Sequence, residues 1–377
     1  MSNTFLTPTM IARDAAIALN NRLIVGNAVS RDKEGMFTAS KIGDTVQVSI
    51  PPAVVDASEF TGSTAASDQT ETQIGLTLEK HFYKRVDLTS KQKSLELSDF
   101  TRLVTLPCVQ GIQESIDKYI LKQMQVFRKN LAGSVGNRPS SMAHVVAARQ
   151  KLKDLKVGGD MFNALIDTTA ETSFLQLSNF VNLDYGTDGA AAGRAGALGM
   201  RYGFNFITNA NLGAFVRSAA ANDIAGTVVM DGASAAGATT IHIDGITSDA
   251  GTIYAGTTFV IAGDTTRYVI RKDATIANSE VDLVITPPLA ITADDGDALT
   301  FEAAGYSNLV YAPNAVAAAI VAPTPLASAN SAVQSFGGVS IRVSMDSSIA
   351  TLADSVVYDV FVGARVIQPD GGALFCG

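Results

Sequence analysis

The stretch 223–304 is the feature that most constrains what this chain can fold into. It contains five or six short runs in which polar and apolar residues alternate, and turn-forming pairs such as Asp231-Gly232 and Asp244-Gly245 separate these runs. Short alternating strands with no helical period are typical of a small β-barrel or β-sandwich. The sequence therefore predicts a β domain here, inserted into a chain whose other segments follow a different pattern.

The segments on either side of this stretch mix helix and strand patterns. A strand at Phe162–Ile166 follows a helix predicted over 141–156, and Thr168 with Glu171 three residues on has the spacing of a capping box that opens the next helix. After a strand at 308–311, Pro313 is predicted to begin an Ala-rich helix that ends before Pro323. With two long strands predicted at 339–345 and 356–367, the pattern indicates an α+β fold.

A long amphipathic helix is predicted over 109–131. Its apolar residues recur at spacings of three and four, and Gly133 follows as a stop signal. At 1.5 Å per residue the helix would be about 34 Å long, enough to form the backbone of a flat subunit. A second amphipathic helix is predicted over 7–29, where it would form an N-terminal arm.

An acidic excursion lies between two strands predicted at 43–50 and 74–85. Positions 51–73 contain no Lys or Arg and too few large apolar residues to fold alone. The basic segment 80–85 follows them in the sequence, so the acidic excursion of one copy could contact the basic segment of the next copy. A solvated loop is the alternative that the sequence leaves open. The residues predicted to make this inter-subunit contact are Asp56, Glu59, Asp68, Glu71, Lys80, Lys84 and Arg85.

No pattern in the sequence predicts chemistry. The three histidines belong to different predicted elements and have no second His or Cys at ligand spacing, so we expect no metal site. No nucleophile elbow or zinc-protease motif is present, and we therefore expect neither an enzyme nor a cofactor. Cys108 and Cys376 are too far apart in sequence to suggest a disulfide framework, which fits a reducing cytoplasm.

Charge and hydropathy exclude further classes. The net charge of −8 disfavours a protein that grips nucleic acid, although a mildly anionic wall suits a container for DNA. The apolar runs are shorter than the roughly 20 residues of a membrane span or are broken by charges, and no secretion signal is evident. Because 47% of the residues are apolar and only 17% are charged, some apolar surface is expected to be buried between copies of the chain.

Several short stretches resemble the capsid subunits of tailed bacteriophages that have the Hong Kong ninety-seven fold. Val29-Ser30-Arg31-Asp32, followed by Lys41-Ile42-Gly43-Asp44-Thr45-Val46 and Ile50-Pro51, resembles the passage from the arm into the extended loop of such proteins. The end of the chain is similar to that of podovirus coat proteins of the P-twenty-two type, which also carry an inserted β-barrel. The stretches that carry this second resemblance are Gly338-Val339-Ser340-Ile341-Arg342-Val343, Tyr358-Asp359-Val360, Pro369 and Gly371-Gly372-Ala373-Leu374-Phe375.

The resemblance implies a division of the chain and a function. It implies a major capsid protein that self-assembles into the pentamers and hexamers of an icosahedral head, around a scaffolding protein, with a portal and possibly a decoration protein as further partners. The head would enclose double-stranded DNA without sequence-specific binding, and assembly would take place in the host cytoplasm. No lysine lies at 51–73, so the covalent cross-link of some relatives is not expected. The implied parts are an N-terminal arm (1–42), an extended loop (43–89), a peripheral domain with the spine helix (90–140 and 339–377), an axial domain (141–222 and 305–338) and the inserted β domain (223–304).

Two other functions compete with this one. An encapsulin-type shell would have the same fold and store a protein cargo instead of DNA. A β-rich tail or host-adhesion protein would account for the β pattern at 223–304, although the long helix at 109–131 argues against it.

Overall fold

The structure is a computed structural model of the 377-residue chain. It describes residues 8–40, 45–50, 72–89, 100–181, 198–215, 224, 226–302, 306–327, 330–348 and 353–377. The chain divides into two compact units. Unit one comprises Met1–Arg22, Ser30–Gln113 and Ala317–Gln368, and unit two comprises Leu23–Val29, Glu114–Val316 and Pro369–Gly377.

The helices of the described residues are mostly short. The longest is α3, which begins three residues earlier than predicted and continues as a 3₁₀ turn at Gln125–Lys129. At 1.5 Å per residue its α-helical part measures about 28 Å. In chain order the helices are α1 Pro8–Arg22, α2 Glu34–Ser40, α3 Leu106–Met124, α4 Met142–Asp154, α5 Thr168–Leu175 and α6 Ser178–Val181.

Strands supply most of the regular structure. In chain order they are β1 Thr45–Ile50, β2 Thr72–Thr77, β3 Lys80–Thr89, β4 Leu131–Ala132, β5 Phe162–Ile166, β6 Met200–Arg201, β7 Phe204–Thr208, β8 Val229–Met230, β9 Thr240–Asp244, β10 Ala250–Ile253, β11 Thr258–Ile261, β12 Tyr268–Ile270, β13 Ala274–Ala277, β14 Val281–Thr286, β15 Leu299–Phe301, β16 Leu309–Tyr311, β17 Val316–Val321, β18 Asn330–Phe336, β19 Val339–Ser348, β20 Ala353–Val366 and β21 Gly372–Phe375.

Unit one is built on a sheet of long strands. Its order is β17-β20-β19-β18, and β3 pairs antiparallel with β20. Helix α1 packs on β18 and β19, and it buries Ile11, Ala15 and Leu19, which recur every four residues on one face. Strands β1 and β2 pair antiparallel from Thr45 opposite Thr77 to Ile50 opposite Thr72, as the predicted hairpin requires. The prediction that its second strand continues to position 85 is wrong, because Lys80–Thr89 forms the separate strand β3 and pairs with β20.

Unit two contains a mixed sheet in the order β4-β21-β16-β5-β7-β6. Strand β5 has the sequence Phe-Asn-Ala-Leu-Ile and is buried along its whole length. Its largely apolar sequence suits a strand that is covered on both faces. Phe174 of α5 lies at the centre of an aromatic cluster, with ring centroids 5.4 Å from Phe180, 5.7 Å from Phe206 and 6.1 Å from Phe375. The last strand of the chain thus pairs in this sheet and not with the preceding long strands.

The stretch 223–304 forms strands β8 to β15, among them three that the sequence pattern did not predict: β10, β13 and β15. Six strands form one sheet in the order β15-β11-β12-β14-β9-β8, and β10 pairs with β13. The hydrophobic cluster of this region consists entirely of residues between Ile224 and Phe301, including Phe259, Ile270 and Leu283. The region therefore has a core of its own.

The Ala-rich helix predicted after Pro313 is wrong. Pro313–Ala315 forms a single 3₁₀ turn, and the residues that follow form the buried strand β17. Its sequence Val-Ala-Ala-Ala-Ile-Val has no polar residue, so a helix here would have no solvent face. Small side chains suit a strand that is covered on both faces, and β17 is buried along its whole length although it stands at the end of the sheet order.

Two helix boundaries also differ from prediction. Helix α1 ends at Arg22 instead of at Val29, because Asp117 of α3, which is buried, accepts hydrogen bonds from the backbone N–H groups of Val25 at 3.1 Å and Gly26 at 3.2 Å. Those N–H groups are thereby removed from helical pairing. The cap of α5 is Asp167 and not Thr168, since the Asp167 carboxylate accepts the N–H of Ala170 at 3.0 Å.

Candidate functional site

Strand β3 carries the basic residues that the sequence singled out. Lys80, Lys84 and Arg85 are all exposed. Because side chains alternate along a strand, Lys80 and Lys84 share one face of β3 and Arg85 lies on the other. The structure therefore splits the predicted basic segment into two lysines on one side and an arginine on the opposite side.

Arg85 is engaged within its own chain. Its Nε donates to Asp87 Oδ1 at 2.8 Å, and one terminal nitrogen donates to Ser355 Oγ at 3.0 Å. Hydrogen bonds from Ser355 and Arg85 lower the pKa of the Asp87 carboxyl. Among the described residues Lys80 and Lys84 form no ion pair, so they are the cations of β3 that are free to meet another charged group.

A buried carboxylate anchors β3 to the sheet. Asp359 of β20 is only 2% exposed and accepts from Arg342 of β19, whose Nε lies 2.9 Å from Asp359 Oδ1. His81 of β3 contacts the same carboxylate, with Nε2 2.8 Å from Oδ2. Three neighbouring strands thus converge on one charge, and the outer strand is held in a fixed register.

Tyr83 is a residue that sequence reasoning missed. It lies between His81 and Arg85 on their face of β3, and 69% of it is exposed. An aromatic side chain on an edge strand offers apolar area and a hydroxyl to another chain. No local pattern identifies it, because its exposure depends on which strand lies at the edge of the sheet.

The acidic half of the predicted contact lies outside the described residues. Asp56, Glu59, Asp68 and Glu71 all fall in 51–71, between β1 and β2. The predicted contact between this excursion and the lysines of β3 therefore stays a prediction.

The three histidines have different surroundings. His81 pairs with Asp359, and the Nδ1 of His144 accepts the N–H of Ser140 at 3.1 Å. His242 lies among carboxylates, with Nδ1 2.7 Å from Asp282 Oδ1 and Nε2 3.1 Å from Asp231 Oδ2. Spacing along the sequence does not reveal this cluster, since the pairing of β8, β9 and β14 brings its members together.

Both cysteines are buried and free. Burial raises the pKa of the Cys376 thiol to about 11, and burial also raises the pKa of Cys108. Such thiols are protonated at neutral pH and are poor nucleophiles. In the part of the chain that the structure describes, no helix is both long enough and apolar enough to cross a membrane.

Comparison with known proteins gives structural likenesses only. No protein-family model matches the chain, and no curated protein matches it. A solved structure described as Mycobacterium phage Che8 superposes with a TM-score of 0.50 at 12% identity, covering 100% of this chain and 93% of that one. The capsid of Ralstonia phage GP4 has a TM-score of 0.46 at 11% identity, and the match covers 90% of this chain and 82% of that one. The capsid of a native GTA particle has a TM-score of 0.45 at 8% identity, and the match covers 99% of this chain and 93% of that one.

The likeness to the Che8 chain covers 100% of this chain. At 12% identity it concerns the fold alone. It agrees with the α+β architecture described above. This chain therefore has the fold of the chain from Mycobacterium phage Che8.

Proposed function

We propose that this chain is the major capsid protein of a tailed bacteriophage, and that it self-assembles into the pentamers and hexamers of an icosahedral head around double-stranded DNA. The observation that carries the proposal is the fold, which matches the Che8 chain over 100% of this chain. In this role the chain acts by association with its own copies and carries out no reaction. A scaffolding protein, a portal and decoration proteins are the further partners of such a shell.

The composition supports association between copies. In this chain 47% of the residues are apolar and only 17% are charged, so electrostatic repulsion between the surfaces of two copies is weak. Interfaces of permanent assemblies commonly bury about 2,000 Å² or more, and they are more apolar than the rest of the surface. The net charge of −8 favours an inner wall that does not hold the packaged DNA tightly.

Assembly is tested directly by microscopy. The purified full chain is examined by negative-stain electron microscopy and by light scattering at increasing concentration, with and without a candidate scaffolding protein. We expect closed shells or their pentamers and hexamers. A compact monomer under every condition would contradict the proposal, and particles filled with protein cargo instead of nucleic acid would indicate the storage-shell alternative.

We further infer that the acidic excursion docks near Lys80 and Lys84 of a neighbouring copy. Both lysines are exposed and lie on the same face of β3, and the excursion carries Asp56, Glu59, Asp68 and Glu71 without a compensating cation. Complementary charges of this kind fix the register between copies and accelerate their encounter. Arg85 is left out of this contact because Asp87 and Ser355 occupy it.

Charge reversal distinguishes docking from a solvated loop. Replacing the four acidic residues by lysine should impair shell formation while leaving the far-ultraviolet circular dichroism of the chain unchanged. Adding Lys80→Glu and Lys84→Glu to the same chain should restore part of the assembly, because the pair of charges is then opposite again. Assembly that is unaffected by the first set, or that the second set does not improve, would remove the docking contact.

A further inference from the structure

We propose that His242, Asp231 and Glu280 form a binding site for a divalent transition-metal cation of the zinc class on the surface of the inserted β domain. The proposal is independent of the capsid function. It departs from the sequence-based expectation of no metal site, because that expectation found no second His or Cys at ligand spacing from any histidine. One ligand atom from each of the three residues lies within 4.8 Å of the others.

Strand pairing places the three side chains. His242 of β9 lies directly opposite Asp282 of β14. Asp231 follows β8, and its N–H donates to the carbonyl of His242 at 3.1 Å. Glu280 closes the tight turn between β13 and β14, in which Asn278 and Ser279 both have positive φ, as a type I′ turn requires.

The distances suit a small cation. Zinc binds nitrogen and oxygen at about 2.0–2.2 Å with tetrahedral angles, which separates the ligand atoms by about 3.4 Å. The Nε2 atom of His242 lies 3.1 Å from Asp231 Oδ2 and 3.6 Å from Glu280 Oε2. A cation between these three atoms would need only small side-chain rotations, and its fourth position would face solvent.

Asp282 supplies the second feature of a histidine metal site. Its Oδ1 lies 2.7 Å from His242 Nδ1, which places the Nδ1 proton on the carboxylate side and directs the Nε2 lone pair toward Asp231 and Glu280. A carboxylate on the far nitrogen orients the ring of a metal-bound histidine and raises its basicity. The adjacent strands β8, β9 and β14 therefore bring together the imidazole of His242, the carboxylate of Asp282 on its Nδ1 side, and the carboxylates of Asp231 and Glu280 on its Nε2 side.

Charge at the cluster favours a cation. Three carboxylates surround the imidazole of His242, since Asp231 and Glu280 lie 3.1 Å and 3.6 Å from its Nε2 and Asp282 lies 2.7 Å from its Nδ1. A proton and a metal ion compete for the same imidazole, so metal affinity should fall as the pH is lowered. Imidazole favours zinc, cobalt or nickel over calcium and magnesium, which take oxygen ligands in larger number.

The test uses the full chain, freed of metal with a chelator. It is titrated with Co²⁺, whose visible absorption bands gain intensity when the ion leaves water for a tetrahedral protein site, and with Zn²⁺ in a calorimeter. We expect saturable, equimolar binding that His242→Asn abolishes. Asp282→Asn leaves all three ligands in place and should weaken binding about 10–100-fold.

The controls separate this cluster from other parts of the surface. His144→Asn removes a histidine that has no carboxylate cluster around it among the described residues, and it should leave the affinity unchanged. Circular dichroism and thermal melting without metal establish whether each variant is folded. If His242→Asn does not fold, Glu280→Gln replaces it in the test, because the Glu280 side chain is exposed. Absence of saturable binding, or equal affinity in the parent chain and in the His242 and Glu280 variants, would overturn the proposal.

Discussion

Glu34 is buried, although its position in a charged run of the sequence indicates an exposed side chain. It ends the charged run 31–34, yet the structure leaves it only 9% exposed. Its Oε1 accepts the N–H of Ile320 at 3.2 Å and lies 4.0 Å from Arg31 Nη1. Burial is the largest influence and raises the pKa of Glu34 from 4.5 to about 7, although Arg31 and the Ile320 N–H act in the opposite direction.

Glu34→Gln should therefore change how stability depends on pH. The folded chain binds the Glu34 proton more tightly than the unfolded chain, so this contribution to stability is complete below about pH 4.5 and is lost as the pH rises through about 7. Each pKa unit corresponds to about 1.4 kcal/mol, so ionisation of Glu34 costs up to about 3 kcal/mol. Glutamine stays neutral and keeps an acceptor for Ile320, and the variant should be the more stable protein at pH 8.

Urea unfolding of the parent and the variant between pH 4 and pH 8 measures this difference. The two free energies of unfolding should converge near pH 4.5 and below, separate progressively between pH 4.5 and pH 7, and run parallel above pH 7. Asp32→Asn, in the same charged run but exposed, serves as the control and should follow the parent. Parallel curves for Glu34→Gln and the parent at every pH would show that Glu34 is ionised in the fold at no cost.

At the scale of elements, Asp359 decides how β3 is held. Its carboxylate joins Arg342 of β19 to His81 of β3, and Asp359→Asn would leave Arg342 largely buried beside a neutral amide. Removing one partner of such a pair costs about 3 kcal/mol or more. We expect that loss in urea unfolding, together with faster amide hydrogen exchange along β3. Asp346→Asn, at an exposed position on β19, should change stability by less than about 0.5 kcal/mol.

If β3 exchanged no faster in Asp359→Asn than in the parent, the strand would depend on its backbone pairing alone. The same comparison bears on the proposed docking of the acidic excursion, because Lys80 and Lys84 belong to this strand. A loosened β3 should therefore also impair assembly.

The sequence predicts elements better than it predicts their partners. Alternation and turn residues located β1, β5 and β14 closely, because period and length are local properties. The interpretation of 316–321 as a helix was wrong. An apolar Ala-rich run has the same sequence pattern whether it forms a buried helix or a strand buried on both faces, so the pattern does not distinguish the two. The carboxylates around His242 and Asp359 depend on strand register, which is set by contacts between residues far apart in sequence.

At the scale of the whole molecule, the stretch 223–304 behaves as a body with its own core. The hydrophobic cluster formed by its strands draws no member from outside Ile224–Phe301. It contacts the rest of unit two through β12, which packs on the 3₁₀ turn Gln125–Lys129, and through the ion pair between Lys122 and Asp273 at 2.5 Å. Gly256 also approaches Gln125 so closely that a side chain at this position would press against it.

Deleting 223–304 and joining the ends with a short Gly-Ser linker should therefore leave the remainder folded. No strand of the insert pairs in the mixed sheet of unit two as the structure describes it, while Gln125 and Lys122 lose neighbours, so we expect cooperative unfolding at a moderately lower temperature. Circular dichroism and calorimetry of the deletion variant measure this, and the isolated 223–304 fragment should itself unfold cooperatively as a β protein. Wholesale loss of structure in the deletion variant would mean that the inserted strands are needed to fold the chain. If both pieces fold and shells still form but vary in size, the insert contributes to the accuracy of assembly and not to the fold of the subunit.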